Sequence, residues 1–209
     1  MNERVDRTRR TYDKIAGRFL ENTRDRSAVS LWLGRFAEHL GAGATVLDLG
    51  AGPGCDSAEL RRLGLRAIAV DLSLGMLQAG LPDFPGPRVQ ADARHLPFRD
   101  GSVAGVWANA SLLHLSPEEA AAAVREARRV LCASGLLHIS VKSGSGAEWE
   151  SERYGEARWF QYWSAADLDA LLATAGFTVI ASWSNATPRV DWLVRHAAPD
   201  ARGLTSGCS

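Results

Sequence analysis

The segment VLDLGAGPG carries the residues with the clearest chemical meaning in this sequence. Its glycines, Gly50, Gly52 and Gly54, follow an apolar run, and a glycine turn after a strand lets the backbone approach a ligand closely. The spacing is DxGxGxG instead of the GxGxxG of dinucleotide sites, and Cys55 stands where the third glycine of that pattern would be. Asp48, two residues before the first glycine, suits a cationic ligand better than a pyrophosphate. The loop therefore predicts a nucleotide-like cofactor that carries positive charge.

Two more carboxylates follow the next two apolar runs. Asp71 lies 21 residues after Gly50 at the end of RAIAV, where a carboxylate can accept hydrogen bonds from both hydroxyls of a ribose. Asp92 ends the short run that follows. The carboxyl ends of parallel strands meet at one edge of a sheet, which is the usual ligand site of open α/β folds. We therefore expect Asp48, Asp71 and Asp92 to share one pocket.

His114 is the candidate catalytic residue, as a general base. It follows the apolar run VAGVWA by six residues and is expected above the same edge of the sheet. A hydroxyl or ammonium acceptor must lose a proton, and a histidine whose pKa is near the working pH can take it. A structural or cofactor-packing role is the alternative. His95, in the loop after Asp92, is a weaker candidate, and we expect His39, His138 and His196 to be structural groups. No cluster of side chains has the spacing of metal ligands, so no metal is predicted.

The elements that must position these residues alternate between strand and helix. Two amphipathic helices come first, and Tyr12 lies on the apolar face of the first one. Strands are expected at 44–49, 66–70, 88–91, 103–108, 136–141, 177–183 and 189–194, with helices at 56–63, at 74–80, and after the capping serines Ser116 and Ser164. The last two strands are joined by 184–188, which fits a hairpin. The prediction is an α/β fold: a Rossmann-like, doubly wound, seven-stranded sheet, mostly parallel, with one antiparallel edge strand in a C-terminal hairpin and helices on both faces.

The motifs VLDLGAGPG, AVDLS, ADARHLPF, DGSVAGVWANASLLHL and RVLCASGLLHISV resemble those of class I S-adenosylmethionine-dependent methyltransferases of the small-molecule type. The resemblance covers roughly 10–195 of the chain. It implies S-adenosyl-L-methionine as cofactor and S-adenosyl-L-homocysteine as product. The cofactor-binding residues that it implies are Tyr12, Asp48, Gly50, Ala51, Gly52, Gly54, Asp71, Leu72, Met76, Asp92, Ala93 and Asn109.

The same resemblance gives several of these residues a role. The glycine loop would hold the methionine end of the cofactor, Asp71 the ribose, and Asp92 with the amide of Ala93 the edge of the adenine. Met76 resembles the apolar residue that packs on the adenine, and Asn109 would face the sulfonium. In similar families the N-terminal helix closes over the cofactor, which implies a lid role for the helix that carries Tyr12.

The segment 142–164, between the fifth predicted strand and the last helix, is the most individual part of the chain and contains six aromatic residues. Loops that a rigid sheet holds at its ligand edge set specificity, and aromatic rings there can stack on a flat substrate. The candidates for substrate contact are Trp149, Tyr154, Trp159 and Tyr162. Trp159, Phe160 and Trp163 have near-helical spacing, so some of these rings can instead seat the segment on the sheet.

Amino-acid composition gives information about the partners and location of the protein and little about its reaction. Lys plus Arg and Asp plus Glu both number 24, so net charge gives no argument for a nucleic-acid or membrane partner. The three cysteines include no CxxC pair, and the N-terminus is charged where a signal peptide would be apolar. No run approaches the roughly 20 apolar residues of a membrane span. These features predict a cytoplasmic protein.

The function predicted from these observations is methyl transfer to an O, N or C atom of a small organic molecule, a metabolite or natural-product intermediate. One alternative is a tRNA-modifying methyltransferase, because seven arginines lie in the first 26 residues. Another is a cofactor-binding protein with a non-methylating or regulatory role, and the glycine spacing disfavours an NAD oxidoreductase. We expect one methyltransferase domain at 1–199, with lid helices at 1–40 and a Rossmann-like core at 41–199, then a loose tail at 200–209. A homodimer is left open.

Overall fold

A computed structural model of the chain describes residues 2–81, 83–186 and 190–200. The helices are α1 Glu3–Thr23, α2 Ser30–Leu40, α3 Cys55–Arg62, α4 Leu74–Ala79, α5 Pro117–Val130 and α6 Ala165–Thr174. The strands are β1 Thr45–Leu49, β2 Arg66–Asp71, β3 Arg88–Gln90, β4 Val103–Asn109, β5 Leu131–Lys142, β6 Ala147–Glu150, β7 Arg158–Gln161, β8 Phe177–Ala186 and β9 Asp191–Pro199. Short 3₁₀ turns lie at Ser27–Val29 and Leu112–His114.

Seven strands form one sheet in the order β3-β2-β1-β4-β5-β9-β8. The pairs from β3 to β5 are parallel, and β9 is antiparallel to both β5 and β8. The predicted seven-stranded, mostly parallel sheet with a C-terminal hairpin is confirmed. Within that hairpin β8 takes the edge, and β9, which is the antiparallel strand, lies one place inside it. Strand order reverses between β1 and β4, so their carboxyl ends border the crevice where such folds bind ligands.

Both faces of the sheet are covered, which explains why its central strands are apolar throughout. In β1, Val46, Leu47 and Leu49 are at most 2% exposed. One face packs with α5 and α6, and the other packs with α2, where Phe36 contacts the buried ring of Trp107 on β4. A strand buried on both faces cannot alternate apolar and polar residues. This core fixes the strand ends that carry the site.

The helix boundaries follow local capping signals. Ser116 and Glu119 form a capping box at the start of α5, with Pro117 in the first turn. Ser164 caps α6 by accepting a hydrogen bond from the amide of Asp167. Gly176, just after α6, has φ +82°, which a glycine adopts with little strain. The predicted starts of both helices are confirmed.

The segment 142–164 contains a two-stranded antiparallel hairpin of β6 and β7, so the near-helical spacing of its aromatic residues was misleading. The hairpin supports α1. The Thr11 hydroxyl donates to the carbonyl oxygen of Ala157 at 2.8 Å, and the amide of Trp159 donates to the Thr8 hydroxyl at 3.2 Å. The other side of α1 meets α4, where the carboxylate of Asp13 accepts from the amide of Gly75 at 2.9 Å. Helix α1 is thus held across the carboxyl edge of the sheet.

Residues 201–209 of the predicted tail lie outside the described residues, as do Arg189 and part of the predicted 184–188 connection. Cys55 is a free thiol. None of the described helices combines the length and apolar character needed to cross a membrane.

Candidate functional site

A cavity of about 1270 Å³ lies at the carboxyl edge of the sheet, beneath α1. Its walls come from the glycine loop after β1, the ends of β2, β3 and β4, the inner side of α1 and the β6–β7 hairpin. Pockets for single small ligands commonly measure about 300–1,000 Å³. This cavity is therefore large enough for a nucleotide-like cofactor together with a second molecule.

The glycine loop turns sharply and uses its own amides inside the protein. The amides of Gly50 and Ala51 both donate to the carbonyl oxygen of Val70, and the amide of Gly52 donates to Asp71 Oδ2 at 2.8 Å. A pyrophosphate site needs free N–H donors at this position. Because these donors already have partners, the loop suits a ligand that does not require them. This agrees with the cationic cofactor inferred from Asp48.

Gly54 is a glycine for a packing reason. It has φ +91° at the start of α3, and a Cβ there would lie 2.7 Å from a ring carbon of Phe84. Gly54 does not line the cavity, so its contact with the cofactor stays a prediction that the cavity does not support. The other eleven predicted cofactor residues do line it, from Tyr12 of α1 to Asn109 of β4.

Asp71 occupies the end of β2, as a ribose-binding carboxylate requires. Its Oδ1 accepts from the amide of Ser73 at 2.8 Å, while Oδ2 accepts from Gly52. Burial raises its pKa to about 6, although the two amides act in the opposite direction. Each carboxylate oxygen can still accept a second hydrogen bond. Asp71 is therefore held in a fixed orientation with acceptor capacity left for a ligand.

Asp48 is buried, with 2% of its surface exposed, and accepts a hydrogen bond from the Ser57 hydroxyl at 2.6 Å. Burial, and next the neighbouring carboxylate of Asp56, raise its pKa to about 8. Among the described residues, no basic side chain forms an ion pair with Asp48. A buried carboxylate without a cation is costly, so a bound ammonium or sulfonium would complete this site.

A hydrogen-bond network beside Asp48 was not recognised in the sequence. Asp56 at the start of α3 accepts from Arg26 Nε at 2.5 Å, from the indole of Trp107 at 2.9 Å and from the amide of Asn109 at 2.9 Å. The amide oxygen of Asn109 in turn accepts from the Ser140 hydroxyl at 2.6 Å. Asn109 therefore lines the cavity with its side chain fixed at both ends. An Asp two residues after the last loop glycine was the only sequence signal.

The third predicted carboxylate has a partner of its own. Arg94 binds both oxygens of Asp92, with Nη2 at 2.6 Å from Oδ2, and also contacts Glu119. Burial acts to raise the pKa of Asp92, but the hydrogen bonds from Arg94 outweigh it and the pKa is lowered. Asp92 and Ala93 line the cavity beside Met76, which is 1% exposed. The ion pair with Arg94 therefore holds the Asp92 carboxylate in place and balances its charge at this end of the cavity.

His114 lines the cavity, but both of its ring nitrogens have partners. Its Nδ1 lies 2.5 Å from the carbonyl oxygen of Trp159, and its Nε2 lies 2.7 Å from the hydroxyl of Tyr12. Burial lowers the pKa of His114 to about 3 and raises that of Tyr12 to about 12. His114 is therefore neutral and joins α1 to the hairpin.

The four predicted substrate contacts divide into two pairs. Trp149 and Tyr162 line the cavity, and the Tyr162 hydroxyl donates to Glu148 and Glu150 at 2.9 and 2.5 Å. Tyr154 and Trp159 do not line it, so their contact with a substrate stays a prediction that the cavity does not support. Tyr154 packs with Met76 and α1. Trp159 lies edge-on to its cross-strand partner Trp149, and it faces the side of β7 opposite to Arg158 and Phe160 because alternate residues of a strand face opposite sides.

The arginine-rich start of the chain is not an open basic patch. Six of its seven arginines make a polar contact within the protein. Five of them pair with carboxylates: Arg4 with Glu119, Arg9 with Asp6 and Asp13, Arg10 with Asp6, Arg24 with Asp83 and Arg26 with Asp56. Arg18 donates to the backbone carbonyl oxygen of Tyr154. Arg7 lies over the ring of Trp149. These contacts weaken the argument for an RNA backbone as partner. Across the described part of the chain, no group of three or more His, Cys, Asp or Glu side chains is placed to hold a metal ion.

Residues 47–139 match the family model described as a methyltransferase domain. A curated relative, demethylmenaquinone methyltransferase of Mycobacterium tuberculosis, is 38% identical over 105 residues, which are 50% of this chain and 44% of the relative. The chain thus spans less than half of the length of this relative. The region that matches the family model, 47–139, contains the glycine loop, Asp71, Asp92 and His114.

Two solved structures resemble most of the chain. The 1,6-didemethyltoxoflavin-N1-methyltransferase of Burkholderia thailandensis, crystallised with 1,6-didemethyltoxoflavin and S-adenosylhomocysteine, is 25% identical with a TM-score of 0.76, covering 92% of this chain and 87% of that one. Magnesium protoporphyrin IX methyltransferase of Synechocystis PCC 6803, with bound S-adenosylmethionine, is 18% identical with a TM-score of 0.66, covering 96% and 86%. The second shows the fold alone. These similarities agree with the methyltransferase class and the S-adenosylmethionine cofactor predicted from the sequence.

Proposed function

We propose that the chain is a class I S-adenosylmethionine-dependent methyltransferase that transfers a methyl group to an O, N or C atom of a small organic molecule; the match to a methyltransferase domain and the similarity to the toxoflavin enzyme support this proposal. The acceptor is a metabolite or natural-product intermediate. The observation that carries the proposal is the single cavity of about 1270 Å³, which joins the glycine loop to the aromatic hairpin. One end has the acidic groups that a sulfonium cofactor requires, and the other has room for a second, partly aromatic molecule.

The residues at the first end fit S-adenosylmethionine. Asp48 is buried without a basic partner among the described residues and lies where the ammonium would be held. Asp71 has acceptor capacity for the ribose hydroxyls, and the amides of the glycine loop are already used. Bound there, the cofactor supplies an electrophilic methyl group on a sulfonium.

The chain's own part in the reaction is chiefly positioning. Asp48 and Asp71 orient the donor, while Asn109, fixed by Asp56 and Ser140, holds the surface beside the methyl group. Helix α1, tied down through Tyr12 and Thr11, acts as the lid that excludes water. Methyl transfer is an in-line displacement, so alignment of donor and acceptor provides much of the rate enhancement.

A general base role for His114 stays a prediction of the sequence. Its geometry supports a positioning role, because Nε2 faces Tyr12 and a pKa of about 3 makes the ring a weak base at neutral pH. A cytoplasmic location, a homodimer and the division into lid and core also stay predictions. A tRNA acceptor has little support, since the arginines of α1 contact other groups of the same chain.

The decisive experiment follows a labelled methyl group. Purified protein is incubated with S-adenosylmethionine labelled in the methyl carbon and with metabolite and RNA fractions of a bacterial extract. We expect label in the low-molecular-weight fraction, lost in Asp71→Ala and retained in Asp100→Ala, a surface aspartate paired with Arg129. Label that enters RNA would favour the tRNA alternative. Tight cofactor binding with no label leaving the cofactor would favour the non-methylating alternative and contradict the proposal.

A further inference from the structure

Arg158, on β7, is a buried cation in the cavity wall that sequence reasoning missed. It is 5% exposed and lines the cavity from the hairpin side. An arginine remains charged in essentially every protein environment. Taking this charge out of water is costly unless other groups replace the lost hydrogen bonds. The partners of the guanidinium therefore decide what it is for.

The protein itself gives the Arg158 guanidinium few hydrogen-bond partners. Within 2–81, 83–186 and 190–200, Arg158 forms no ion pair, and its Nε is buried without a hydrogen-bond partner. Its side chain has one hydrogen bond, from Nη1 to the hydroxyl of Tyr12, and at 3.5 Å this is long. Glu150 faces Arg158 across the hairpin, but Glu150 Oε1 already accepts from Lys142 and Tyr162. One oxygen of this cross-strand carboxylate is thus committed to other groups.

Aromatic rings surround the same guanidinium. Its Cζ lies 4.9 Å from the ring centre of Tyr154, 5.1 Å from Phe160 and 5.7 Å from Tyr12. Such rings stabilise a cation through their faces, but they accept none of the in-plane N–H hydrogen bonds. They also exclude water, which strengthens any electrostatic contact made there. Arg158 is consequently prepared for an anionic oxygen that comes from outside the protein.

We propose that Arg158 binds an anionic oxygen of the methyl acceptor, so that the enzyme selects acceptors carrying a carboxylate or an ionised phenol or enol. This inference rests on the proposed function and names the substrate class of the same site. The wall that carries Arg158 includes Phe160, Tyr162 and Trp149, which lie on the hairpin and not on the strand ends that hold the predicted donor residues. A guanidinium next to an acidic hydroxyl also favours its ionised form, which removes the need for a strong general base.

The same chemistry has a second source, the carboxylate of the cofactor's methionine moiety, and the test must separate the two. Calorimetry measures benzoate binding to the protein saturated with S-adenosylhomocysteine, with benzamide as the neutral probe of the same shape. Arg158→Met removes the charge, Arg158→Lys keeps a cation without the planar fork, and Arg125→Met, at an exposed arginine of α5, is the matched control. Circular dichroism and the affinity for S-adenosylhomocysteine report whether each variant is folded.

We expect benzoate to bind more tightly than benzamide by about 10- to 100-fold, the range for a charge-assisted hydrogen bond. Arg158→Met should lose this preference, Arg158→Lys should keep part of it, and neither should change S-adenosylhomocysteine affinity by more than about 3-fold. Equal binding of the two probes, absent benzoate binding, or an Arg158→Met variant that binds benzoate normally would overturn the proposal. Loss of S-adenosylhomocysteine affinity instead would assign Arg158 to the cofactor. Failure of wild-type protein to bind S-adenosylhomocysteine would contradict the proposed function, and benzoate titration of that protein still tests the anion site.

Discussion

The hydroxyl of Tyr12 lies 2.7 Å from Nε2 of His114 and joins the N-terminal helix to the floor of the cavity. The direction of this hydrogen bond follows from the other side of the ring. A carbonyl oxygen, here that of Trp159, can only accept, so Nδ1 carries the proton and Nε2 is the acceptor. Tyr12 therefore donates, and the pair acts as a latch between α1, the turn after β4 and the hairpin.

This latch gives the first prediction, which separates a base from a positioning residue. If His114 takes a proton from the acceptor, His114→Gln should lower kcat by roughly 100-fold or more. The geometry instead predicts a smaller loss, because Gln keeps an acceptor for the Tyr12 hydroxyl. Tyr12→Phe should then cost about as much as Tyr12→Phe combined with His114→Gln, since both break one contact. Additive losses in the double variant, measured as kcat at several pH values, would argue for separate chemical roles.

The buried His114 also predicts how stability depends on pH. Its folded pKa of about 3 is below the ordinary value of 6.5, so the unfolded chain binds the extra proton between those values. Its contribution is complete above pH 6.5 and is lost as the pH falls. Asp48 and Asp71, with raised pKa values, titrate in the opposite direction and mask this in wild-type protein.

A difference between variants isolates the effect of His114. From pH 7 to pH 5, the unfolding free energy of wild type should fall by about 2 kcal/mol relative to that of His114→Gln, as urea denaturation would measure. His39→Gln, at an exposed histidine of α2, is the control. The same slope in His114→Gln and wild type would mean that His114 is not held neutral.

Gly50 provides a prediction about the loop itself. It has φ +75°, and an added Cβ would lie 2.2 Å from Cβ of Ser111. Gly101, with φ +62° and open space around it, isolates the backbone cost of about 1–2 kcal/mol. Gly50→Ala should cost about 1–3 kcal/mol more than Gly101→Ala because of overpacking. Ser111→Gly, combined with Gly50→Ala, should recover that excess in urea unfolding, and no recovery would place the clash elsewhere.

Thr11 predicts how firmly α1, the proposed lid, is held. Its hydroxyl donates to the Ala157 carbonyl oxygen at 2.8 Å. Thr11→Val should therefore lower the free energy needed to detach α1 from the hairpin by about 1 kcal/mol. Hydrogen exchange of α1 amides should rise about 5-fold. Thr23→Val is matched, because the Thr23 hydroxyl bonds to Phe19 of its own helix. Equal exchange in the two variants would show that the hairpin contact does not hold the lid.

Asp71 predicts the strength of cofactor binding. Asp71→Ala removes the acceptor for the ribose and leaves the amides of Gly52 and Ser73 without their partner. Affinity for S-adenosylhomocysteine should weaken by about 1–3 kcal/mol in calorimetry, whereas Asp100→Ala should leave it unchanged. An unchanged affinity in Asp71→Ala would remove this residue from the site.

The comparison of sequence and structure separates local from non-local information. The helix starts at Ser116 and Ser164 were readable because a cap involves residues within one turn. The strand ends at Asp48, Asp71 and Asp92 were readable because apolar runs give the strands and parallel order aligns their ends. The family resemblance added the cofactor, because its motifs lie within single segments.

What only the tertiary structure decided depends on residues far apart in the chain. The sequence could not show that Tyr12 and His114, 102 positions apart, share a hydrogen bond, or that Gly54 is packed against Phe84. Strand pairing made the hairpin and turned Trp159 away from the cavity that Arg158 lines. Periodicity within a segment gives the face of an element, but the identity of the neighbour on that face depends on how the elements pack. The strand-end carboxylates were therefore predictable from the sequence, whereas the contacts among α1, the turn after β4 and the hairpin were decided by packing.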